Sequence, residues 1–222
     1  ERKVAEVKLD KNIILRLEDF PGTYSIIPQS IDEEIVTAKM LQWIKKSEDK
    51  PDGILYVADI TNLRRNMFFL TQLLPLNIPV ILLLNMADLS PKNIIHSNLL
   101  QENMGILKVI PFSAAKETGL DALKEEIISF PKDKIMKHTS MPLSDNYKKM
   151  IYPLTEKISE LYAISNSLSE QLAFILFCNR KEIGSLNLEQ KKINEILSIR
   201  RGILDNISKD MTPQLKTMES DL

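Results

Sequence analysis

The sequence predicts an α/β fold with a mostly parallel sheet, followed by an all-α helical domain. Strand and helix patterns alternate between about residues 50 and 130, which is typical of parallel strands joined by helical crossovers. Beyond a polar stretch with a proline near each end, only helical patterns occur. We therefore expect an α/β domain at 1–130, a linker at 131–143 and a helical domain at 144–222.

Two β-patterned runs open the chain. Val4–Leu9 and Asn12–Leu17 are separated by the polar pair Asp10-Lys11, which predicts a hairpin. A helix should begin at Ser30, because Ser30-x-x-Glu33 has the form of a capping box. Its predicted buried face is formed by Ile31, Ile35, Ala38, Leu41 and Ile44.

Three further strands and three helices make up the alternating part. The run Pro79–Asn85 is apolar until its last residue, which indicates a strand covered by helices on both faces. The other predicted strands are Gly53–Asp59 and Lys108–Phe112. The helices should begin at Asn62, at Ser90-Pro91 (ending at Gly105) and within Thr118–Asp121 (ending before Pro131).

The C-terminal part contains helical signals alone. A proline at position 153 should kink or divide the first helix, and Ser167-x-x-Glu170 should introduce the second. The three predicted helices are Asn146–Leu161, Leu168–Asn179 and Leu188–Ile207.

The composition of the chain argues against several classes of function. A net charge of −1 gives no basic excess, so we expect no nucleic-acid partner. The longest apolar runs, Ile78–Leu84 and Leu172–Cys178, are much shorter than the roughly 20 residues that span a bilayer. The single Cys178 indicates a reducing compartment, and its apolar surroundings favour a core residue over a nucleophile. His96 and His138 have no metal-ligand spacing.

The first chemical motif is Asp19-Phe20-Pro21-Gly22, a D-x-x-G set at the end of a predicted strand. A carboxylate there can hold Mg²⁺ through water. The glycine amide can approach a phosphate because no Cβ intervenes. A lone D-x-P-G is also a common turn, so this motif carries weight only in combination.

The second motif, Asn85-Met86-Ala87-Asp88, follows the apolar strand. An aspartate here can accept both donors of the guanine edge, N1–H and the exocyclic amine. Adenine presents a different donor pattern and would leave the carboxylate unpaired, which costs roughly 1–3 kcal/mol. Asn85 should tie neighbouring loops together. The alternative, that Asp88 merely caps the next helix, is weakened because Ser90 is the better cap.

The third motif is Ser113-Ala114, whose backbone amide, that of Ala114, should face guanine O6. It is weak alone, but the three motifs occur in a fixed order, with about 66 residues from Asp19 to Asn85 and about 25 from Asp88 to Ser113. Each ends a predicted strand. Order and spacing together indicate a guanine-nucleotide site of GTPase ancestry.

The chain resembles the cytosolic G domain of FeoB-type ferrous-iron transporters. The resemblance rests on EDFPGTYSI, SIDEEI, VADITNLRRNMFFLTQLL and NMAD, where that family writes DLPGTYSL, S-x-DE, VDA-x-NLERNL and NM-x-D. Met86 stands where most GTPases have lysine, as in that group. The resemblance covers about 1–130 and implies a P-loop-GTPase-like sheet, GTP/GDP and Mg²⁺ as cofactors, and a helical domain that regulates nucleotide release.

The sequence also departs from the family. None of its six glycines begins the GxxxxGK[ST] pattern of the phosphate-binding P-loop. The family's switch threonine and membrane domain are absent as well. The resemblance places the P-loop strand between the strands ending at Asp19 and Asp59, so their ladder partner should be missing and the sheet incomplete at its N-terminal side. We expect the chain to be an internal segment of a longer protein.

The resulting hypothesis is a GTP/GDP-binding segment that couples nucleotide state to ferrous-iron passage through a membrane domain outside this chain. The whole protein would be a GTPase at the cytoplasmic face of the membrane, and it could form homo-oligomers. This chain alone should hydrolyse little GTP. One alternative is a P-loop-less pseudo-GTPase that acts as a protein-interaction module. Another is a ribosome-assembly or tRNA-modification GTPase, which the Asn62–Leu70 match and Met86 disfavour.

Overall fold

The computed structural model describes residues 3–11, 13–25, 30–45, 50–89, 97–130, 143–178 and 189–210. The chain divides into two compact units. The first contains Glu1–Val36 and Lys46–Met141, and the second contains Thr37–Lys45 and Pro142–Leu222. Helix α1 (Ile31–Lys45) therefore contributes its first turns to one unit and the rest to the other.

The predicted N-terminal hairpin is confirmed. Strands β1 (Lys3–Asp10) and β2 (Ile13–Asp19) pair antiparallel, with Lys3 opposite Asp19. The register shifts between Lys8 and Asp10, next to the turn. Asn12, the predicted start of the second strand, lies outside the described residues.

Helix α1 begins as predicted, and its predicted buried face is confirmed at Leu41 and Ile44 but is wrong at Ile31 and Ala38. The backbone amide of Glu33 donates to the Ser30 hydroxyl oxygen at 3.3 Å, as a capping serine should. Ile31 is 79% exposed and Ala38 is exposed, because the first turn is acidic and solvated and burial begins only at Val36. The buried side is formed by Val36, Thr37, Met40, Leu41, Trp43 and Ile44.

The sheet that follows is parallel, as predicted. Strand β4 (Val80–Asn85) lies between β3 (Ile54–Asp59) and β5 (Lys108–Pro111). Its residues are buried until Asn85, which lies opposite Asp59. Among the described residues, no strand pairs with the other edge of β3, and the β1–β2 hairpin forms a sheet of its own.

Three helices accompany the parallel sheet: α2 (Leu63–Leu73), α3 (Ser97–Met104) and α4 (Leu120–Ile128). Helix α3 ends at Gly105, as predicted, where φ is +67°. Its predicted start at Ser90-Pro91, and His96, lie outside the described part of the chain. The Tyr56 hydroxyl donates to the Asn66 carbonyl at 2.7 Å, which ties β3 to α2.

The second unit contains α5 (Asp145–Tyr162), α6 (Asn166–Cys178) and α7 (Gln190–Asp210). Of the two outcomes expected at Pro153, a kink or a division, the division is wrong, because α5 runs through this residue. Pro153 lies on the exposed side of the helix, where water can satisfy the free carbonyl. The cap of α6 is Ser165 and not Ser167, because the amide of Leu168 donates to the Ser165 hydroxyl at 3.4 Å. His138 and residues 131–142 are outside the described ranges.

Within the described ranges, no single helix is long and apolar enough to cross a membrane. Helices α5 and α6 reach that length and composition only as a pair, which is bent by 117°.

Candidate functional site

The carboxyl end of β4 turns sharply into the N-x-x-D motif. Asn85 is the last strand residue and is half-buried, while Met86 adopts a positive φ of +61° and is 41% exposed. A positive φ is uncommon for a residue with a side chain, and here it reverses the chain into a short 3-10 turn over Ala87–Leu89. The turn places Asp88 beside the end of the neighbouring strand.

The carboxyl end of β5 leads into a tight loop, residues 113–118, which we call the base loop. Ser113 and Thr118 close it with two backbone hydrogen bonds of 3.1 Å, one in each direction. Ser113 is 1% exposed. Glu117 and Gly119 have positive φ values, +53° and +87°, which allow the loop to return towards β5 before α4 begins. Thr118, predicted to lie in the cap of α4, therefore closes the loop, and Gly119 occupies the N-cap position.

Two hydrogen bonds join the N-x-x-D turn to the base loop. The amide of Ala114 donates to Oδ1 of Asn85 at 3.1 Å, and the amide of Ala87 donates to the Phe112 carbonyl at 3.0 Å. The structure thus brings together six sequence-predicted site residues, Asn85, Met86, Ala87, Asp88, Ser113 and Ala114. The Ala114 amide, expected to face a base oxygen, instead serves Asn85 in this structure.

Asp88 is held as an anion. Its side chain is 18% exposed, and Nζ of Lys116 lies 3.5 Å from its Oδ2. A hydrogen bond from the Ser113 hydroxyl is the main cause that lowers the pKa of Asp88, and its own backbone amide and Lys116 lower it further. An ionised carboxylate in this position can accept two hydrogen bonds from one planar edge of a ligand.

The D-x-x-G motif lies at the end of β2, in the separate two-stranded sheet. Asp19 and Gly22 are exposed, while Phe20 and Pro21 are half-buried. A Cβ added at Gly22 would meet nothing within 4 Å, so space for a ligand exists beside it. No strand pairing within the described ranges connects this motif to the N-x-x-D turn or the base loop.

A magnesium site is not formed by this chain's described residues alone. Among them there is no group of three or more His, Cys, Asp and Glu side chains that could hold a metal ion. Asp19 supplies one exposed carboxylate. A water-mediated contact from Asp19 to Mg²⁺ would therefore need further oxygen ligands, such as phosphates.

Sequence reasoning missed two cations near these motifs. Lys116 was not predicted to be a site residue, although a positively charged residue three positions after Ser113 in a short loop indicates a contact with the nearby Asp88. Arg65 is exposed, and its guanidinium carbon lies 3.5 Å from the centre of the Tyr24 ring. This contact ties the segment after the D-x-x-G motif to α2.

Comparisons with known proteins identify the family of this chain. The family model described as Ferrous iron transport protein B matches residues 1–127. An Fe(2+) transport protein A/Fe(2+) transporter FeoB fusion protein from Porphyromonas gingivalis is 32% identical over 207 residues, 89% of this chain and 23% of that protein. The Fe(2+) transporter FeoB of Campylobacter jejuni is 33% identical over 190 residues, 84% of this chain and 28% of that protein. The chain thus spans about a quarter of the length of these curated relatives.

Solved structures show the same fold. NFeoB from S. thermophilus bound to GDP.AlF4- and K+ aligns with a TM-score of 0.68 and 29% identity, over 94% of this chain and 78% of that one. The cytosolic domain of L. pneumophila FeoB aligns with a TM-score of 0.64 and 22% identity, over 93% of this chain and 84% of that one, which supports the fold alone. With the family model covering more than half of its length, this chain belongs to the FeoB family and contains part of its cytosolic G domain.

Proposed function

We propose that this chain is a guanine-nucleotide-binding segment of a ferrous-iron transporter. The observation that carries the proposal is the joined pair of loops at the ends of β4 and β5. They present the Asp88 carboxylate beside the Ser113 hydroxyl and the Ala114 amide. NFeoB structures that share this fold are bound to GDP.AlF4- and to GMPPNP.

Guanine fits this arrangement better than adenine. Its N1–H and exocyclic amine are adjacent donors, and both oxygens of Asp88 are acceptors. Adenine has an acceptor at N1, which would face the carboxylate and leave it unpaired. The guanine O6 would accept a hydrogen bond from the Ala114 amide. When the base binds, Asn85 must therefore lose or share its own hydrogen bond from that amide.

The remaining assignments extend this proposal to the whole protein. Gly22 would approach the γ-phosphate, and Asp19 would hold Mg²⁺ through water. Iron would pass through a membrane domain outside this chain, and the present segment would lie at the cytoplasmic face of the membrane. Within the segment, 1–130 would be the G-domain portion, 131–143 the linker and 144–222 the helical domain. We expect little GTP hydrolysis by this chain alone, because GxxxxGK[ST] does not occur in it.

Titration with a fluorescent GDP analogue tests the proposal. We would compare this chain with one extended upstream by about 40 residues, the length of one strand–loop–helix unit. Asp88→Ala should abolish binding in whichever chain binds, whereas Asp121→Ala, at a carboxylate with 95% side-chain exposure on α4, should not. A chain that folds cooperatively and binds nothing, with no P-loop encoded upstream, would favour the protein-interaction module.

A base swap tests the role of Asp88 more sharply. Asp88→Asn replaces one acceptor with an amide donor, which suits xanthine because its C2 substituent is a carbonyl. The variant should lose affinity for GDP and gain affinity for xanthosine diphosphate. Loss of both nucleotides with an unchanged fold would show that Asp88 does not read the base.

A further inference from the structure

The base loop holds Lys116 against the carboxylate that the proposed function assigns to guanine. Nζ of Lys116 lies 3.5 Å from Oδ2 of Asp88, and the Ser113 hydroxyl also hydrogen-bonds this carboxylate. Guanine needs both oxygens for its two donors. The oxygen facing Lys116 is therefore already engaged when no nucleotide is present.

The geometry of the base loop holds the backbone of Lys116 in a position that favours this ion pair. The two backbone hydrogen bonds between Ser113 and Thr118 limit the loop to four intervening residues. The Lys116 amide also donates to the Ser113 hydroxyl oxygen at 3.3 Å. The backbone of Lys116 is thereby anchored near Asp88, while its side chain remains 63% exposed and can swing into solvent.

The hydrogen-bond donor of the proposed base site is engaged as well. The Ala114 amide, which would meet guanine O6, donates to Asn85. In this structure, both groups that would recognise guanine thus have partners within the protein. Guanine binding is then an exchange of partners, and its net free energy is reduced by what the internal contacts contribute.

We propose that Lys116 competes with guanine for Asp88, so that it weakens guanine-nucleotide binding and must move away when the base enters. This inference rests on the proposed function and adds a residue that tunes its affinity. The effect is electrostatic and local: a partly exposed ion pair has to be broken, which corresponds to about a two- to fivefold change in Kd.

The test is a GDP titration of the full-length protein and three variants. Lys116→Met removes the charge and keeps an apolar stem of similar length, so Kd for GDP should fall about two- to fivefold. Lys116→Arg keeps the charge and should bind like the wild type. Lys124→Met removes the same charge from an ion pair with Asp121 on α4, and it should not tighten binding.

The salt dependence of GDP binding is a second measurement, and it should not change if Lys116 has only a structural role. Screening weakens the Lys116–Asp88 pair, so the advantage of Lys116→Met over the wild type should shrink as salt rises from about 0.05 to 0.5 M. In the nucleotide-free protein, the Asp88 carboxyl pKa, followed by NMR, should be higher in Lys116→Met than in the wild type.

The outcomes separate the two proposals. If wild type binds GDP and Lys116→Met binds equally or more weakly, Lys116 does not compete and the inference is overturned while the proposed function stands. An unchanged Asp88 pKa in Lys116→Met would also overturn it. If wild type does not bind GDP at all, the proposed function fails and the inference fails with it.

Discussion

The amide of Ala114 donates to Oδ1 of Asn85 at 3.1 Å, across 29 positions of sequence. Asn85 ends the central strand β4, and Ala114 lies in the base loop after β5. One side chain therefore fixes the relative position of the two loops that carry the candidate base site.

Replacing Asn85 by alanine should loosen this junction. The Ala114 amide would lose its partner, which costs about 0.5–1.5 kcal/mol of unfolding free energy for one hydrogen bond. Urea unfolding would give the energy, and amide exchange at Ala114 should become faster. Asn98→Ala, at an exposed position on α3, is the matched control and should change the unfolding free energy by less than about 0.5 kcal/mol. Unchanged exchange at Ala114 would contradict the role of Asn85.

Gly119 is required where the base loop turns into α4. Its φ is +87°, and a Cβ at this position would lie 2.5 Å from the Pro111 carbonyl oxygen. Gly119→Ala should lower the unfolding free energy by about 1–3 kcal/mol, because strain and a backbone clash coincide.

Gly202 provides the opposite control. It lies within α7, where an added Cβ would meet nothing within 4 Å. Gly202→Ala should raise the unfolding free energy by up to about 1 kcal/mol through helix propensity. Equal effects of the two substitutions in chemical denaturation would show that the backbone at Gly119 is not constrained.

Tyr24 and Arg65 should be energetically coupled. The Arg65 guanidinium carbon lies 3.5 Å from the ring centre of Tyr24, and such contacts at exposed sites contribute about 0.5–1 kcal/mol. A double-mutant cycle with Tyr24→Leu and Arg65→Ala should return a coupling of that size. The same cycle with the adjacent exposed Arg64 should return about zero, and a coupling near zero for Arg65 would exclude the contact in solution.

Cys178 should be a slow nucleophile in the folded protein. Burial raises the pKa of its thiol to about 11, while Arg200 opposes the shift. Its alkylation near pH 8 should therefore be much slower than in urea, and the single cysteine makes the readout unambiguous. Because the folded pKa lies above the unfolded one, Cys178 should lower the unfolding free energy as pH rises from about 8.5 towards 11. Equal labelling rates in both states would contradict the burial of the thiol.

Much of the fold was predictable because local patterns agreed with it. The β1–β2 hairpin, the parallel strands β3, β4 and β5, and the end of α3 at Gly105 follow from alternation, continuous apolar runs and glycine chemistry. One error occurred where two nearby residues could form the same local structure with similar free energy. Ser165 and Ser167 are both plausible caps for α6, and only the hydrogen bond to Leu168 decides between them.

The sequence by itself determined which residues end the strands, and hence that Asn85, Asp88 and Ser113 lie at one edge of the sheet, because parallel strands align their carboxyl ends. It could not determine what these side chains contact. The contact of Lys116 with Asp88 and that of Arg65 with Tyr24 depend on loop paths and long-range packing. Those contacts join residues that are distant along the chain, so tertiary structure alone decided them.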